Sequence, residues 1–298
     1  MKRTLYAALL VLAVLTTAQS QTAKQPPKSS VETQPKKAVQ TVRQRAAQAE
    51  MEKAQDACDE DRLADAEQYA KRASELDPSN KAALIFIAQV ISRQYNRMED
   101  GAEKTARARE AIAAYQRVAD ADPDNDEAYY AVRETYGEIN EAELQRSWDM
   151  QRAINAALSA EKRADAYTTL AQWEDICAND IITQTREKLY SEESGKFELA
   201  RLDAESREEL SVGRQCVSRG LQMVELAIAI APEDAIAWRC KAGLLSSAAG
   251  LYEFEGDEAQ DEQYSMQSDE TLRHASELEA KRKEAEEARV SRSRLKAY

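Results

Sequence analysis

Small and apolar residues recur at helical spacing in three stretches of this chain, and each stretch closes on a proline: AEQYAKRASELDPSN (66–80), AIAAYQRVADADPDN (111–125) and GLQMVELAIAIAPED (220–234). Twelve residues before Pro78, Pro123 and Pro232 stand Ala66, Ala111 and Gly220. Five before stand Ala73, Val118 and Ala227, and two before stand Leu76, Ala121 and Ile230. That spacing lays one narrow, closely packing stripe along a helix. Proline ends each helix because it has no amide donor and its ring collides with the preceding turn. An Asn or Asp two residues later (Asn80, Asn125, Asp234) opens the next helix. A helix pair with one apolar stripe on each member cannot bury it alone and must stack on copies of itself.

The pattern resembles the tetratricopeptide repeat, whose stacked helix pairs hold other proteins. The resemblance implies an all-α fold: a right-handed superhelical solenoid of antiparallel helix pairs, followed here by a long charged C-terminal helix. In that family a bulky residue at position 4 and a small one at position 8 mark the first helix. Small residues at 20 and 27, with proline at 32, mark the second. With Pro78 at position 32, Ala54, Ala66 and Ala73 fall at 8, 20 and 27 of a unit near 47–80, although Glu50 is a poor match at position 4. A second unit starts at Lys81 with Leu84, Ile87 and Ala88, and carries an extra segment near 96–107 before Ala111 resumes the pattern. The third starts at Asp126, with Tyr129, Val132 and Tyr136 on one face. There Arg133 occupies the small position 8, and the second helix, about 141–158, lacks the closing proline. In the fourth, a first helix at 163–177 (Tyr167, Leu170, Ala171) is separated from its partner at 208–231 by an insertion of about 178–207. A fifth first helix follows Pro232, with Trp238, Ala242 and Leu245 in register.

Outside the repeats, the first twenty residues set the compartment. Lys2 and Arg3 precede an apolar run, 4–16, and then an Ala18-x-Ser20 cleavage site, the form of a secretory signal peptide at 1–20. The run is short for a membrane span. An uncleaved anchor is the alternative, and membrane contact is expected only there. No cysteine precedes Cys58, so a lipid anchor on an N-terminal cysteine is excluded. The expectation is export, to the periplasm or beyond. Residues 21–41 hold three of the six prolines and no apolar period, and are expected to form a disordered linker. The first helix is then placed from near Val42 to Asp59, the solenoid over 42–255 and a charged helical tail over 256–298. The tail segment SELEAKRKEAEEARVSRSRLK (276–296) reads as a solvated capping helix laced with i,i+4 ion pairs.

Composition agrees with long helices. Of 298 residues only 8 are Gly, 6 Pro and 3 Phe, which leaves little material for tightly turned sheets. A net charge of −13 speaks against nucleic acid as the main partner. The four cysteines (Cys58, Cys177, Cys216, Cys240) form no CxxC, and His274 is the single histidine, so a zinc site lacks its ligands. In the repeat register, Cys177 ends the first helix of the fourth unit and Cys216 begins its second. Antiparallel packing brings those ends together at the neck of the insertion, so Cys177–Cys216 is the expected disulfide. Cys58 and Cys240 lie several units apart, beyond disulfide reach. Four reduced, buried thiols are the alternative.

Catalytic chemistry finds no footing. Without a second imidazole, His-based triads and metal centres lack their parts, and His274 reads as an exposed helix residue. DPDND (122–126) imitates the start of a calcium loop, but Glu127 and Arg133 stand where glycine and a bidentate glutamate belong. It reads as a turn between repeats. No cofactor is implied, and the chain reads as non-enzymatic. What the resemblance does imply is a concave groove for a protein or peptide partner, faced by first-helix positions. These are Ile85, Gln89 and Arg93; Tyr130, Glu134 and Glu138; Thr168, Gln172 and Asp175; and Arg239. A Tyr, amides and both charge signs suit an extended backbone or a partner helix. The Lys and Asn clamp that some repeats of this family use for a terminal carboxylate is absent: Ile85/Gln89 and Tyr130/Glu134 occupy those places. Two readings remain open, an interaction scaffold working through the groove, and an accessory whose insertion does the work while the repeats act as spacer.

Overall fold

A computed structural model describes residues 34–191, 196–197 and 202–296; the expected signal segment and the expected linker up to 33 lie outside the described residues. Ten helices run in sequence as five pairs: α1 (Gln34–Asp59) with α2 (Leu63–Leu76), α3 (Lys81–Asn96) with α4 (Ala102–Ala121), and α5 (Asp126–Glu138) with α6 (Ala142–Ile154). Next come α7 (Ala160–Leu189) with α8 (Ala204–Ile230), and α9 (Ala235–Glu255) with α10 (Glu258–Lys296). Each pair packs within itself and then against the next pair in line. This is the quasi-one-dimensional stacking of a tetratricopeptide-like solenoid.

The three prolines mark equivalent corners, and the hydrogen bonds say why. Asp77, Asp122 and Ala231 each close the preceding helix by donating the backbone N–H to Ala73, Val118 and Ala227. Three residues on, the N–H of Asn80, Asn125 or Asp234 returns to the carbonyl of that closing residue at 3.0, 3.0 and 3.1 Å. Those same side chains then cap the next helix, accepting from Ala83, Ala128 and Ile236. The small stripe does what its spacing requires: Ala66, Ala73, Ala111 and Ala227 are fully buried. At Gly220 the approach is closest, since a Cβ would stand 2.5 Å from Leu244 Cδ2.

The chain departs from the sequence reading in four places. First, α1 begins at Gln34 rather than near Val42, since Pro35 sits in the first turn, where its missing donor costs nothing. Second, the described residues of the insertion are mostly helix. Helix α7 runs on to Leu189 and α8 starts at Ala204, so Cys177 lies inside α7 rather than at its end. Ile182, Leu189 and Leu210 of this stretch share a core with Ala248, Leu251 and Phe254 of a correspondingly long α9. Third, the all-α chain carries one short antiparallel pair at the tip that the sequence reading did not place, β1 (Tyr190–Ser191) with β2 (Lys196–Phe197). Fourth, the first half of α10 packs on α9, whereas residues 276–293 stay solvent-exposed save for the half-buried Leu278, as the sequence reading has them. Gly256, at φ 73°, turns the chain, Ala275 is buried, and Tyr264 stacks on Tyr252 with ring centroids 5.5 Å apart. Within α10 the ion pair found among the described residues is Glu286–Arg289, at i,i+3, and the expected i,i+4 ladder does not form. His274 is half-buried, its ring edge-on to Trp238 at 4.5 Å.

Candidate interaction site

The groove positions fall on α3, α5, α7 and α9, which lie along one side of the stack. Side-chain contacts join these helices in series. Arg93 of α3 donates to the Cys58 sulfur of α1 at 3.0 Å, and Gln89 of α3 donates to Glu127 of α5 at 2.7 Å. The Tyr130 hydroxyl of α5 reaches Asp165 of α7 at 3.3 Å. Asp175 of α7 accepts from Ser247 of α9 at 2.8 Å. Arg239 of α9 is ion-paired with Glu279 of α10.

Not every candidate is free to meet a partner. Thr168 is buried at 3 % exposure, its hydroxyl turned back to the Ala164 carbonyl, and is a correction to the groove set. Ile85 is half-buried against the core of the first two pairs. Asp175 is half-buried and committed to Ser247 and Asn179; burial raises its carboxyl, with those hydrogen bonds opposing. Tyr130, Glu134, Glu138 and Gln172 keep exposed surface.

Beneath Tyr130 the stack opens into a cavity of about 1070 Å³ where the third, fourth and fifth pairs meet. Its walls are Asp126 and Tyr130 of α5, Arg152 of α6, Glu161, Lys162 and Asp165 of α7, the Ala231–Asp234 corner with Ile236, and Arg282 of α10. Burial raises the Asp165 carboxyl, against the Tyr130 hydrogen bond and the attraction of Arg152 and Arg133, and Asp234 adds like-charge repulsion. Burial also pulls Asp126 upward, but hydrogen bonds from Arg152 and Lys162 hold it below the usual carboxylate range.

Sequence reasoning missed the polar joint behind this cavity. Continuing the register from Asp126 puts Arg133, Gln145 and Arg152 at the three small positions of the third pair, with Ala157 in the proline place. Arg133 and Arg152 are accommodated by exchange of a tight apolar seam for a network, while Gln145 is buried beside Gly137. Asp149, with no exposed surface, accepts from Tyr129, Arg133 and Trp173. Arg152, 6 % exposed, pairs with Asp126 at 2.5 Å and lies 4.0 Å from the centre of the Tyr129 ring. Burial, reinforced by Asp149, pushes the Tyr129 phenol well above its ordinary range. The clue in the sequence was the simultaneous loss of small residues at every marked position of one unit. The DPDND corner is occupied by its own ion pairs, Lys162 reaching Asp124 at 2.9 Å and Asp126 at 3.0 Å.

Cys177 and Cys216 form the disulfide-compatible pair, with Cα atoms 6.1 Å apart, while Cys58 and Cys240 are unpaired and buried. Beside the pair, Arg219 of α8 holds Glu174 of α7 at 2.7 Å. Burial, with Asp175 nearby, pushes the Cys240 thiol up to about 12. Among the described residues no group of three His, Cys, Asp or Glu could hold a metal, and no helix is long and apolar enough to cross a membrane.

No protein-family profile matches the chain, and no curated protein sequence matches it either. Among solved structures it is similar to "MamA 41-end from Desulfovibrio magneticus RS-1", at 12% identity over 76% of this chain and 96% of that one, with a TM-score of 0.34. It is similar to YrrB, titled "a TPR protein with an unusual peptide-binding site", at 13% identity over 85% and 96%, TM-score 0.36. A third is a tetratricopeptide repeat protein from Parabacteroides merdae, at 15% identity over 78% and 99%, TM-score 0.32. Values this low leave the fold resting on the helix pairs themselves.

Proposed function

We propose that this chain is an exported, non-catalytic scaffold that holds a protein partner, as a peptide or a helix, on the face made by α3, α5, α7 and α9, in envelope assembly or secretion. The observation that carries the reading is the serial joining of first helices through Gln89–Glu127, Tyr130–Asp165 and Asp175–Ser247. It links the helices into one continuous face with Tyr130, Glu134, Glu138 and Gln172 exposed along it. A face already formed in the free chain lowers the ordering cost that a partner meets on binding. Most of the stretch 178–207 continues α7 and α8 and packs against α9, which favours the groove over the insertion as the working part. Export rests on the sequence of residues 1–20.

Affinity capture from the envelope fraction, with wild type and a Tyr130→Ala/Gln172→Ala variant, tests the binding face. Loss of captured proteins from the variant is expected, and identical protein sets from both would remove the groove reading. Mass spectrometry of the protein recovered by osmotic shock tests export: a mature chain beginning at Gln21 is expected, and an intact chain confined to the cytoplasm contradicts it.

A further inference from the structure

The charges along α10 are sorted by sign. From 242 to 272 the chain holds eight Asp and Glu and no Lys or Arg, whereas from 281 to 296 it holds seven Lys and Arg against three Glu. Among the described residues the helix makes two ion pairs, Glu279 with Arg239 and Glu286 with Arg289, and neither draws on its acidic half. Its second half packs on little, since residues 276–293 are solvent-exposed save for Leu278. A helix so exposed draws its stability from i,i+4 pairs or from a neighbour, and those pairs do not form here.

One stripe of α10 has the order that a second copy of the same helix needs. Glu262, Asp269, Ser276, Lys283 and Val290 recur every seven residues, the period that keeps one side of a helix against a neighbouring helix. Leu272 and Ala280 stand one turn before and one turn after Ser276, on the same side. All of these positions are exposed, Leu272 at 45 % and Val290 at 38 %. Laid antiparallel on a second α10, with a twofold axis at Ser276, the stripe is its own complement. Asp269 then stands opposite Lys283 and Leu272 opposite Ala280, each pairing made twice, while Glu262 falls in the basic half beside Val290. The small Ser276 at the axis lets the two helices approach. A parallel pair would set Asp269 against Asp269 and Lys283 against Lys283, so the order of charge selects the antiparallel sense.

We infer that α10 is a self-association helix, pairing antiparallel with the α10 of a second copy of this chain about Ser276. A twofold contact of this kind uses the same patch on both copies and closes at two. It does not depend on the first-helix face being a binding surface, and it would join two such faces in one particle.

Sedimentation equilibrium of the full chain is the measurement, and a monomer–dimer equilibrium weakened by added salt is expected. Asp269→Lys and Lys283→Asp each set like charges opposite one another twice per dimer, and each alone should weaken association about tenfold. Mixed in equal amounts, the two variants should associate as well as wild type, because each copy then meets the opposite sign. That rescue separates the interface from any loss of folding, since misfolded chains would not recover on mixing. Under mild oxidation, chains carrying Leu272→Cys should cross-link to chains carrying Ala280→Cys and not to one another. A wild-type chain that stays monomeric at millimolar concentration overturns the proposal. So does a dimer indifferent to both reversals, an assembly larger than two, a mixture that fails to associate, or a Leu272→Cys chain that cross-links to itself.

Discussion

The Asp149 carboxylate on α6, shut off from solvent, takes a 2.6 Å hydrogen bond from the Tyr129 phenol on α5. Arg133 adds a second donor at 3.2 Å and Trp173 of α7 a third at 3.4 Å. One anion thus ties three helices at the point where the small-residue pattern fails. An arginine at a position built for alanine is tolerable here because a buried charge faces it.

Asp149→Ala leaves the Arg133 guanidinium and two hydroxyl or indole donors short of their acceptor. A loss of about 3–5 kcal/mol in urea unfolding is expected, the usual effect of breaking one side of a buried pair. Arg133, which keeps some exposure, should cost less when cut to alanine, and the double variant should show strong coupling. Additive losses would mean that Arg133 does not hold the carboxylate.

Gly220→Ala tests the closest approach of helices in the stack. The new methyl would meet Leu244 Cδ2 at 2.5 Å and Glu174 Cβ at 3.1 Å, so the buried Leu244 side chain must leave its place or α8 must shift. Overpacking of this kind costs about 1–3 kcal/mol. Gly101, with nothing within 4 Å of its added Cβ, is the control and should change stability little. Equal melting temperatures for both variants would show that the α8 seam yields freely.

Much of this was legible in advance, and the exceptions have physical causes. The corners at Pro78, Pro123 and Pro232 could be read because proline and a capping Asn or Asp act locally. The nearness of Cys177 and Cys216 followed from antiparallel pairing, which holds even though α7 runs twelve residues past Cys177. The length of α7 was hidden because Ile182 and Leu189 keep an apolar period inside a run of charges that reads as solvated. Asp149 was hidden for the same reason: an Asp on a helix reads as surface until its donors, twenty residues away, are known. Thr168 occupies a groove position by register, yet its short side chain bonds its own helix instead.

The cysteines divide by burial and bonding. Native protein without reductant should label at no cysteine, since Cys58 and Cys240 are each 8 % exposed and the Cys240 thiol is pushed up to about 12. Unfolding without reductant should expose two sites, and unfolding with reductant four, counted by mass spectrometry after alkylation. Replacing both Cys177 and Cys216 by Ser should lower stability by about 2–4 kcal/mol, because the unfolded chain is freed of a loop closed over a separation of 39 residues. Rapid labelling of native Cys240 would contradict its burial.

Two carboxylates on the cavity should respond to pH in opposite senses. Burial and Asp234 raise Asp165 in the folded state, so the folded chain holds that proton more tightly than the unfolded one. Its contribution to stability is therefore greatest below the ordinary carboxylate range, about pH 4, and falls as pH rises through the raised folded value. Asn cannot ionise and still accepts from Tyr130, so Asp165→Asn should melt at or above the wild-type temperature near neutral pH, the gap closing in acid. Asp126 is held low by Arg152 and Lys162, so its stabilisation is complete above the ordinary range and disappears as pH falls through the depressed folded value. Asp126→Asn should accordingly melt lower than wild type near neutral pH and converge with it in acid. Melting curves followed by circular dichroism across that range decide both. If Asp165→Asn melts lower near neutral pH, the Tyr130 hydrogen bond outweighs desolvation.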